Sequence, residues 1–155
     1  MKNTVPLLFF LAMCLGVSAV GGWITQTSVN DWYQTLIKPP MNPPDWVFTP
    51  TWIALYVMMA VAGWRVWLRP ANSLHRMAMV AFAIQLILNL MWSFIFFGAK
   101  SPGFAAIEIV LLWISILITL LLFWRIDRFA GWIMCPYVLW VSFAIYLNIS
   151  IVLRN

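Results

Sequence analysis

One apolar stretch of the sequence carries polar and aromatic side chains on a single helical face: Gln85, Asn89, Trp92 and Ser93. Their spacing is i, i+4, i+7 and i+8, which places all of them on one side of an α-helix. Polar groups inside a membrane span face protein or a cavity rather than lipid. We therefore expect this face to look into the interior of a helical bundle.

Two other apolar stretches carry similar groups at helical spacing: Trp52 and Tyr56 in one, and Tyr137, Trp140, Ala144 and Asn148 in the other. Three helices can thus direct indole, phenol and amide groups at one space, with Ala144 leaving room for a ligand. Aromatic walls with a few polar groups suit a flat, largely apolar ligand such as a porphyrin or a sterol. The alternative is that the polar groups only join helices, where such contacts average below about 1 kcal/mol.

Other reactive side chains form no catalytic motif. The sequence has no Gly-rich phosphate loop, no metal-ligand spacing and no nucleophile elbow. We expect His75 in a solvated loop, and Cys14 and Cys135 as buried packing residues. Glu108 lies about 9 Å into its apolar stretch, where it is expected to be protonated, to reach the interface, or to pair with Lys100.

The elements that must position these groups are membrane-spanning helices. The chain is 65% hydrophobic and 8% charged, whereas soluble domains carry about 25% charged residues. Five apolar stretches each have about the 20 residues that a span needs: 4–24, 46–68, 77–97, 103–124 and 129–153. We predict an all-α integral membrane protein, a five-transmembrane-helix bundle forming one domain over 1–155. A cleaved signal peptide is the alternative for the first stretch, but its apolar run exceeds the usual length of about 7–15 residues.

The net charge of +5 comes from basic residues scattered at helix ends, which argues against a nucleic-acid surface. One side of the predicted bundle has Lys2, Arg65, Arg69, Arg76, Arg125 and Arg128, and the other has Lys38, Lys100 and Arg154. The positive-inside rule then predicts a cytoplasmic amino terminus and a carboxyl terminus outside. The surrounding lipid bilayer is thus a predicted partner.

The connection over 25–45 is the long one, and it contains Pro39, Pro40, Pro43 and Pro44 together with Trp32 and Tyr33. Prolines stiffen the backbone, Trp and Tyr suit the membrane interface, and loops of this length tend to be functional. We interpret it as a lid over one mouth of the bundle. The alternative is an interfacial spacer between the first two spans.

Taken together, these motifs resemble the tryptophan-rich sensory protein and translocator protein family (TspO/MBR, or peripheral-type benzodiazepine receptor family), in particular its bacterial members. The residues that carry the resemblance are Trp32-Tyr33-x-x-Leu36-x-Lys38-Pro39-x-x-x-Pro43-Pro44-x-Trp46-Val47-Phe48, Trp52, Asn89-x-x-Trp92, Phe96-Phe97 and Pro136-Tyr137-x-x-Trp140-x-x-x-Ala144-x-x-x-Asn148. They extend over nearly the whole chain.

The resemblance implies a five-helix fold, commonly a homodimer, with a pocket beneath the lid. The implied ligands are tetrapyrroles (protoporphyrin IX, haem), sterols such as cholesterol, and benzodiazepine-type compounds; no cofactor or metal is required. The implied ligand-binding residues are Trp32, Trp46, Phe48, Trp52, Tyr56, Asn89, Trp92, Tyr137, Trp140, Ala144 and Asn148. Trp52 and Trp140 also match two tryptophans linked to light- and oxygen-dependent porphyrin breakdown.

This chain departs from the family at two places. Pro40 and Met41 stand where many members have a tryptophan in the lid, and Arg154 lies too far after Tyr146 for the cholesterol-recognition pattern. Three functions remain open: a tetrapyrrole receptor, sensor or translocator; a photo-oxidative porphyrin-degrading enzyme; and a scaffold or partner subunit. The sequence shows no inverted repeat of the kind found in alternating-access transporters.

Overall fold

Every regular element in the computed structural model, which describes residues 4–155, is helical. The helices are α1 (Thr4–Gln26), α2 (Trp32–Thr35), α3 (Asp45–Trp67), α4 (Ser73–Ser93, extended by a π-helical turn over Phe94–Gly98), α5 (Pro102–Ile126) and α6 (Arg128–Arg154). Within these residues, five helices are long and apolar enough to cross a membrane. This confirms the predicted all-α, five-span fold. Lys2, one of the predicted topology determinants, lies outside the described residues.

Side-chain caps set two of the helix starts. The Asn72 side chain accepts a hydrogen bond from the backbone N–H of His75 at 2.8 Å, so α4 begins at Ser73, earlier than the apolar run predicts. His75 therefore lies in the first turn of a helix, and the expectation of a loop residue was wrong. The carboxylate of Asp127 accepts from the backbone N–H groups of Phe129 and Ala130 at 3.0 and 3.1 Å, which starts α6.

The π-helical turn at the end of α4 changes which side chains face inward. The N–H of Ala99 donates to the carbonyl of Phe94 at 2.7 Å, an i to i−5 bond. The wider turn brings the neighbouring Phe96 and Phe97 both into the interior, where they are 2% and 8% exposed. Turns of this kind are rare in proteins, and many of those that occur lie at functional sites. The chain then reverses through Lys100, whose φ is 52°.

The lid segment between α1 and α3 is hydrogen-bonded to the bundle at two places. The Ser28 hydroxyl donates to the carbonyl of Phe97 at 2.8 Å. The Asn155 side chain accepts from the N–H of Ile37 at 2.9 Å and donates to its carbonyl at 3.2 Å. Tyr33, expected at the interface, is instead buried with its ring centroid 5.6 Å from that of Phe97. The lid is thus a packed part of the fold and includes the short helix α2.

Candidate ligand-binding site

A cavity of about 570 Å³ lies beneath the lid, bounded by α1, α3, α4, the π-helical turn and α6. Small-molecule sites in proteins range from about 300 to 1,000 Å³ and are mostly apolar with a few polar groups. The walls here fit that description, since aromatic and aliphatic side chains alternate with the amides of Asn89 and Asn148. The size suits a ligand of several fused or linked rings.

A buried phenol–amide network joins three helices at the floor of this cavity. The Tyr56 hydroxyl of α3 donates to Oδ1 of Asn89 on α4. Nδ2 of Asn89 donates to the Tyr137 hydroxyl of α6 at 2.7 Å. Each side chain is at most 4% exposed, so the network holds the amide plane of Asn89 in one orientation. An amide has two N–H donors and two lone pairs, and Asn89 uses one of each here, which leaves polar capacity for a ligand.

A second set of hydrogen bonds fixes the aromatic wall. Nε1 of Trp92 donates to Oδ1 of Asn148 at 3.0 Å, and Nδ2 of Asn148 donates to the carbonyl of Pro102 at 2.9 Å. The Trp92 ring is also stacked on Phe96, with centroids 5.1 Å apart and planes 26° apart. The indole face is therefore pre-oriented, and a planar ligand can stack without ordering this side chain anew.

A cluster of rings on α3 and α6 forms the opposite wall. Trp52 is the centre of this cluster, with ring centroids 6.0, 6.4 and 6.5 Å from those of Tyr56, Tyr137 and Trp140. Phe48 contacts Trp140 edge-on at 6.0 Å. Within residues 4–155, Nε1 of Trp140 is buried and has no hydrogen-bond partner.

The structure brings most of the predicted site residues together. Seven line the cavity: Phe48, Trp52, Tyr56, Asn89, Trp92, Ala144 and Asn148. Tyr137 and Trp140 lie directly behind Trp52. Trp32 packs on Phe96 at 5.8 Å and is not part of the lining.

Trp46 lies apart from the other predicted site residues. It is 74% exposed and lies outside the cavity lining. Phe48 and Trp52 are four residues apart and share the inward face of α3, whereas a residue two positions before Phe48 points to the far side of the helix. Its place in the family motif could not reveal this orientation.

Some lining residues were missed from the sequence. The wall formed by α1 includes Ser18, Gly22 and Thr25, and the lid adds Tyr33. The α1 residues are spaced i, i+4 and i+7, so a small and polar face on the first span was the available signal. Tyr33 was predicted to lie at the membrane interface, because the sequence around it does not indicate that the distant Phe96 and Phe97 cover its ring.

Two apolar side chains in the cavity lining, one on α1 and one on α3, are exposed. Leu15 of α1 and Ile53 of α3 both line the cavity, and they are 38% and 47% exposed. Exposed apolar side chains on the wall of a cavity provide surface that an apolar ligand can cover.

Burial and a nearby carboxylate raise the pKa of the lid phenol. Burial and the nearby Asp45 carboxylate raise the pKa of Tyr33 to about 12, although its hydroxyl is hydrogen-bonded to Asn42. Nζ of Lys38 lies 4.4 Å from the Tyr33 ring centroid and donates to Gln34, which in turn donates to Asp45 at 2.8 Å. Tyr33 thus remains a hydrogen-bonding phenol at neutral pH.

Two buried polar residues stay outside this arrangement. Glu108 is 6% exposed, and among the described residues its oxygens have no hydrogen-bond partner and form no ion pair with Lys100. Gln85 is fully buried, and in the same range neither atom of its amide is bonded. No group of three or more His, Cys, Asp or Glu residues that could hold a metal occurs within residues 4–155.

The model of the TspO/MBR family matches residues 10–154. The chain belongs to the TspO/MBR family. Among its relatives is the tryptophan-rich protein TspO of Chlorobaculum tepidum, 42% identical with 99% of this chain and 98% of that protein covered. The tryptophan-rich sensory protein of Cereibacter sphaeroides is 34% identical, covering 96% and 90%. The human translocator protein is 32% identical, covering 90% and 83%. Together with the five spanning helices, this establishes a multi-pass membrane protein of that family.

Proposed function

We propose that this protein is a membrane receptor, sensor or translocator that binds a tetrapyrrole, such as protoporphyrin IX or haem, in the cavity beneath the lid. The observation that carries the proposal is the pairing of a fixed aromatic wall with a fixed amide. Trp92 is held by Asn148, and Asn89 is held between Tyr56 and Tyr137. The names of the relatives, sensory protein and translocator protein, support the general role.

The geometry favours a flat ligand. Trp92 and Trp52 offer ring surfaces to the cavity, and Ala144 leaves space between them. Stacking on such rings contributes about 0.5–1.5 kcal/mol beyond the burial of area. Asn89 can then fix the orientation of the ligand with its free N–H. Sterols and benzodiazepine-type compounds share the flat, apolar character and are the other ligand classes in this proposal.

The proposal includes a homodimer and an orientation in the membrane. The end of the bundle opposite the lid has arginines from α3 to α6, at positions 65, 69, 76, 125 and 128. Under the positive-inside rule that end faces the cytoplasm, with the amino terminus. The lid and the carboxyl terminus then lie outside.

Titration of purified protein with protoporphyrin IX in the dark, followed by quenching of tryptophan fluorescence, tests the proposal. We expect saturable binding that Asn89→Ala weakens about tenfold, the equivalent of one hydrogen bond of about 1.4 kcal/mol. Trp92→Phe should also weaken binding. Trp46→Phe is the matched control, because this exposed tryptophan lies outside the cavity. Linear quenching that none of these changes alters would contradict the proposal and favour a scaffold or partner subunit.

The contact between Trp52 and Trp140 favours a second candidate function, a light-dependent porphyrin-degrading enzyme. Their ring centroids are 6.5 Å apart, and Trp52 lines the cavity while Trp140 lies behind it. In this reaction dioxygen is the oxidant, the macrocycle is oxidised, and the tryptophan pair passes electrons. Illumination in air should yield a bilin-like product. An unchanged yield from Trp140→Phe would remove the role assigned to Trp140.

A further inference from the structure

The end of the bundle opposite the lid has a strong excess of positive charge. Five arginines lie there: Arg65, Arg69, Arg76, Arg125 and Arg128. The chain has four acidic residues, of which Asp31 and Asp45 belong to the lid segment and Glu108 lies inside α5. Asp127 is therefore the acidic side chain available to this end. Acidic residues of the protein leave most of the positive charge at this end uncompensated.

Part of this charge surrounds a cleft of about 190 Å³ between α3 and the start of α6, lined by Trp64, Arg65, Leu68, Arg69 and Asp127. Arg65 donates to Oδ2 of Asp127 at 3.0 Å, and Arg69 donates to the same oxygen through Nη2 at 2.5 Å and Nε at 3.2 Å. Two cations and one anion leave the cluster with one net positive charge. The Asp127 side chain is only 3% exposed, whereas those of Arg65 and Arg69 are 33% and 47% exposed.

The carboxylate of Asp127 is already saturated. Burial alone would raise its pKa, but the bonds from Arg69, the Ala130 N–H and Arg65 outweigh burial and lower it to about 2. The arginines are not saturated, because a guanidinium has five N–H donors. Both arginine side chains are partly exposed. Their remaining N–H groups can therefore donate to an anionic acceptor in the cleft.

The surroundings of the cleft are apolar on the side of the membrane. Leu68 is 41% exposed at its rim, and the neighbouring Trp67 and Phe129 are 51% and 56% exposed. The Arg65 guanidinium lies 4.7 Å from the Phe129 ring centroid. Exposed Trp, Phe and Leu beside arginines at the ends of spans are typical of the level of lipid headgroups.

From this combination we propose that the cleft between α3 and α6 binds the phosphate of an anionic phospholipid headgroup. Guanidinium groups match phosphate oxygens in pairs, and Leu68 and Trp67 contact the glycerol and upper acyl region. A free phosphate ion would satisfy the same donors but would leave the apolar rim without a partner, so the lipid is the better match. The site lies at the other end of the bundle from the lid cavity and does not depend on the proposed function.

Native mass spectrometry of the detergent-purified protein, titrated with phosphatidylglycerol or phosphatidylcholine, tests this assignment. We expect saturable binding that prefers phosphatidylglycerol, weakened about fivefold by Arg69→Gln, the equivalent of about 1 kcal/mol for one arginine. Arg76→Gln, an exposed arginine at the same end but outside the cleft, should leave binding unchanged. Leu68→Glu should weaken binding while keeping both partners of Asp127, which covers the case in which Arg69→Gln does not fold.

Three results would overturn the proposal. Equal binding of the two lipids, which both carry a phosphate, would remove the preference for an anionic headgroup. Equal weakening by Arg76→Gln and by the cleft variants would show diffuse attraction to the whole basic end. Binding of inorganic phosphate alone, with the same dependence on Arg69 and with displacement of the lipid, would assign the cleft to a free ion.

Discussion

The two halves of the bundle are built from the same five long helices but pack in opposite ways. In the packed half, opposite the lid, a Cβ on Gly63 would lie 2.9 Å from the Phe10 ring, and one on Gly131 would lie 2.7 Å from the Trp124 ring. In the lid half, a Cβ on Gly22 would meet nothing within 4 Å. In the packed half, a large ring occupies the space beside each of these glycines. In the lid half, the space beside Gly22 stays empty and adds to the cavity.

This difference explains how a small membrane protein can contain a large cavity. Close packing and the Arg65–Asp127–Arg69 cluster hold α3 against α6 at one end. Toward the lid, side chains of the same helices line the cavity. A rigid end gives the site residues at the other end fixed positions, which ligand binding requires.

Removing the charge that holds the packed half should have the largest effect. Asp127→Asn keeps an acceptor for the start of α6 but loses the ion pairs with Arg65 and Arg69. We expect a loss on the order of 2 kcal/mol, reduced from the value for a fully buried pair because both arginines are partly exposed. Thermal unfolding in detergent measures it, with Asp45→Asn at the lid as the control. Equal melting temperatures for the wild type and Asp127→Asn would show that the cluster does not hold this half together.

The same cluster predicts a dependence of stability on pH. The pKa of Asp127 is lowered to about 2 in the folded protein, against about 3.9 in an unfolded chain. The stabilisation is therefore complete above about pH 4 and is lost as the pH falls toward 2. Melting curves across this range should converge for the wild type and Asp127→Asn. A constant difference between them would contradict the assignment.

A pair of glycine substitutions compares the two halves directly. Gly131→Ala should destabilise by about 1–2 kcal/mol, because the new methyl group would also lie 2.9 Å from Cα of Trp124, a backbone atom that cannot swing away. Gly22→Ala should be neutral or stabilising by up to about 1 kcal/mol, from helix propensity alone. Both are measured by thermal unfolding. A similar cost at both positions would mean that the lid half is as closely packed as the other.

The hydrogen bond from Ser28 to Phe97 offers a test of the lid. Ser28→Ala removes the buried bond between lid and π-helical turn, so bound protoporphyrin IX should dissociate up to about fivefold faster, for a bond of about 1 kcal/mol. Thr27→Ala is the matched control, because its hydroxyl bonds only the nearby carbonyl of Ile24. Dissociation is measured by recovery of tryptophan fluorescence on dilution. Equal dissociation rates for both variants would show that this hydrogen bond does not help to retain the ligand.

Entry of the ligand between α1 and α3 is a further prediction, with a weaker expected effect. Gly22→Phe places a ring at the edge of the cavity, and Gly16→Phe places one on the same helix outside it. We expect protoporphyrin IX to transfer from vesicles severalfold more slowly to Gly22→Phe alone. Stopped-flow fluorescence measures the rate of transfer. Slowing by both variants, or by neither, would remove the lateral route.

Patterns within one helix could be predicted from the sequence, while contacts between distant segments could not. The Asn89 and Trp92 face was visible because a polar group in an apolar span must find a partner, and seven predicted residues line the cavity. The π-helical turn, the burial of Tyr33 and the outward position of Trp46 depend on how the lid docks. Asp127 escaped notice because a single acid in a short connection has no pattern, and its role arises from Arg65 and Arg69, about 60 positions away.

The most direct test of the central claim is to map where bound protoporphyrin IX oxidises the protein. Brief illumination at stoichiometric ligand, followed by peptide mass spectrometry, reports which tryptophans lie beside the pigment. Oxidation should concentrate at Trp52 and Trp92 in the lid half and should be reduced in Asn89→Ala at the same ligand concentration. Equal oxidation of Trp124 and Trp132, which pair with each other in the packed half, would show that the pigment is dispersed in the bilayer and would contradict a site beneath the lid.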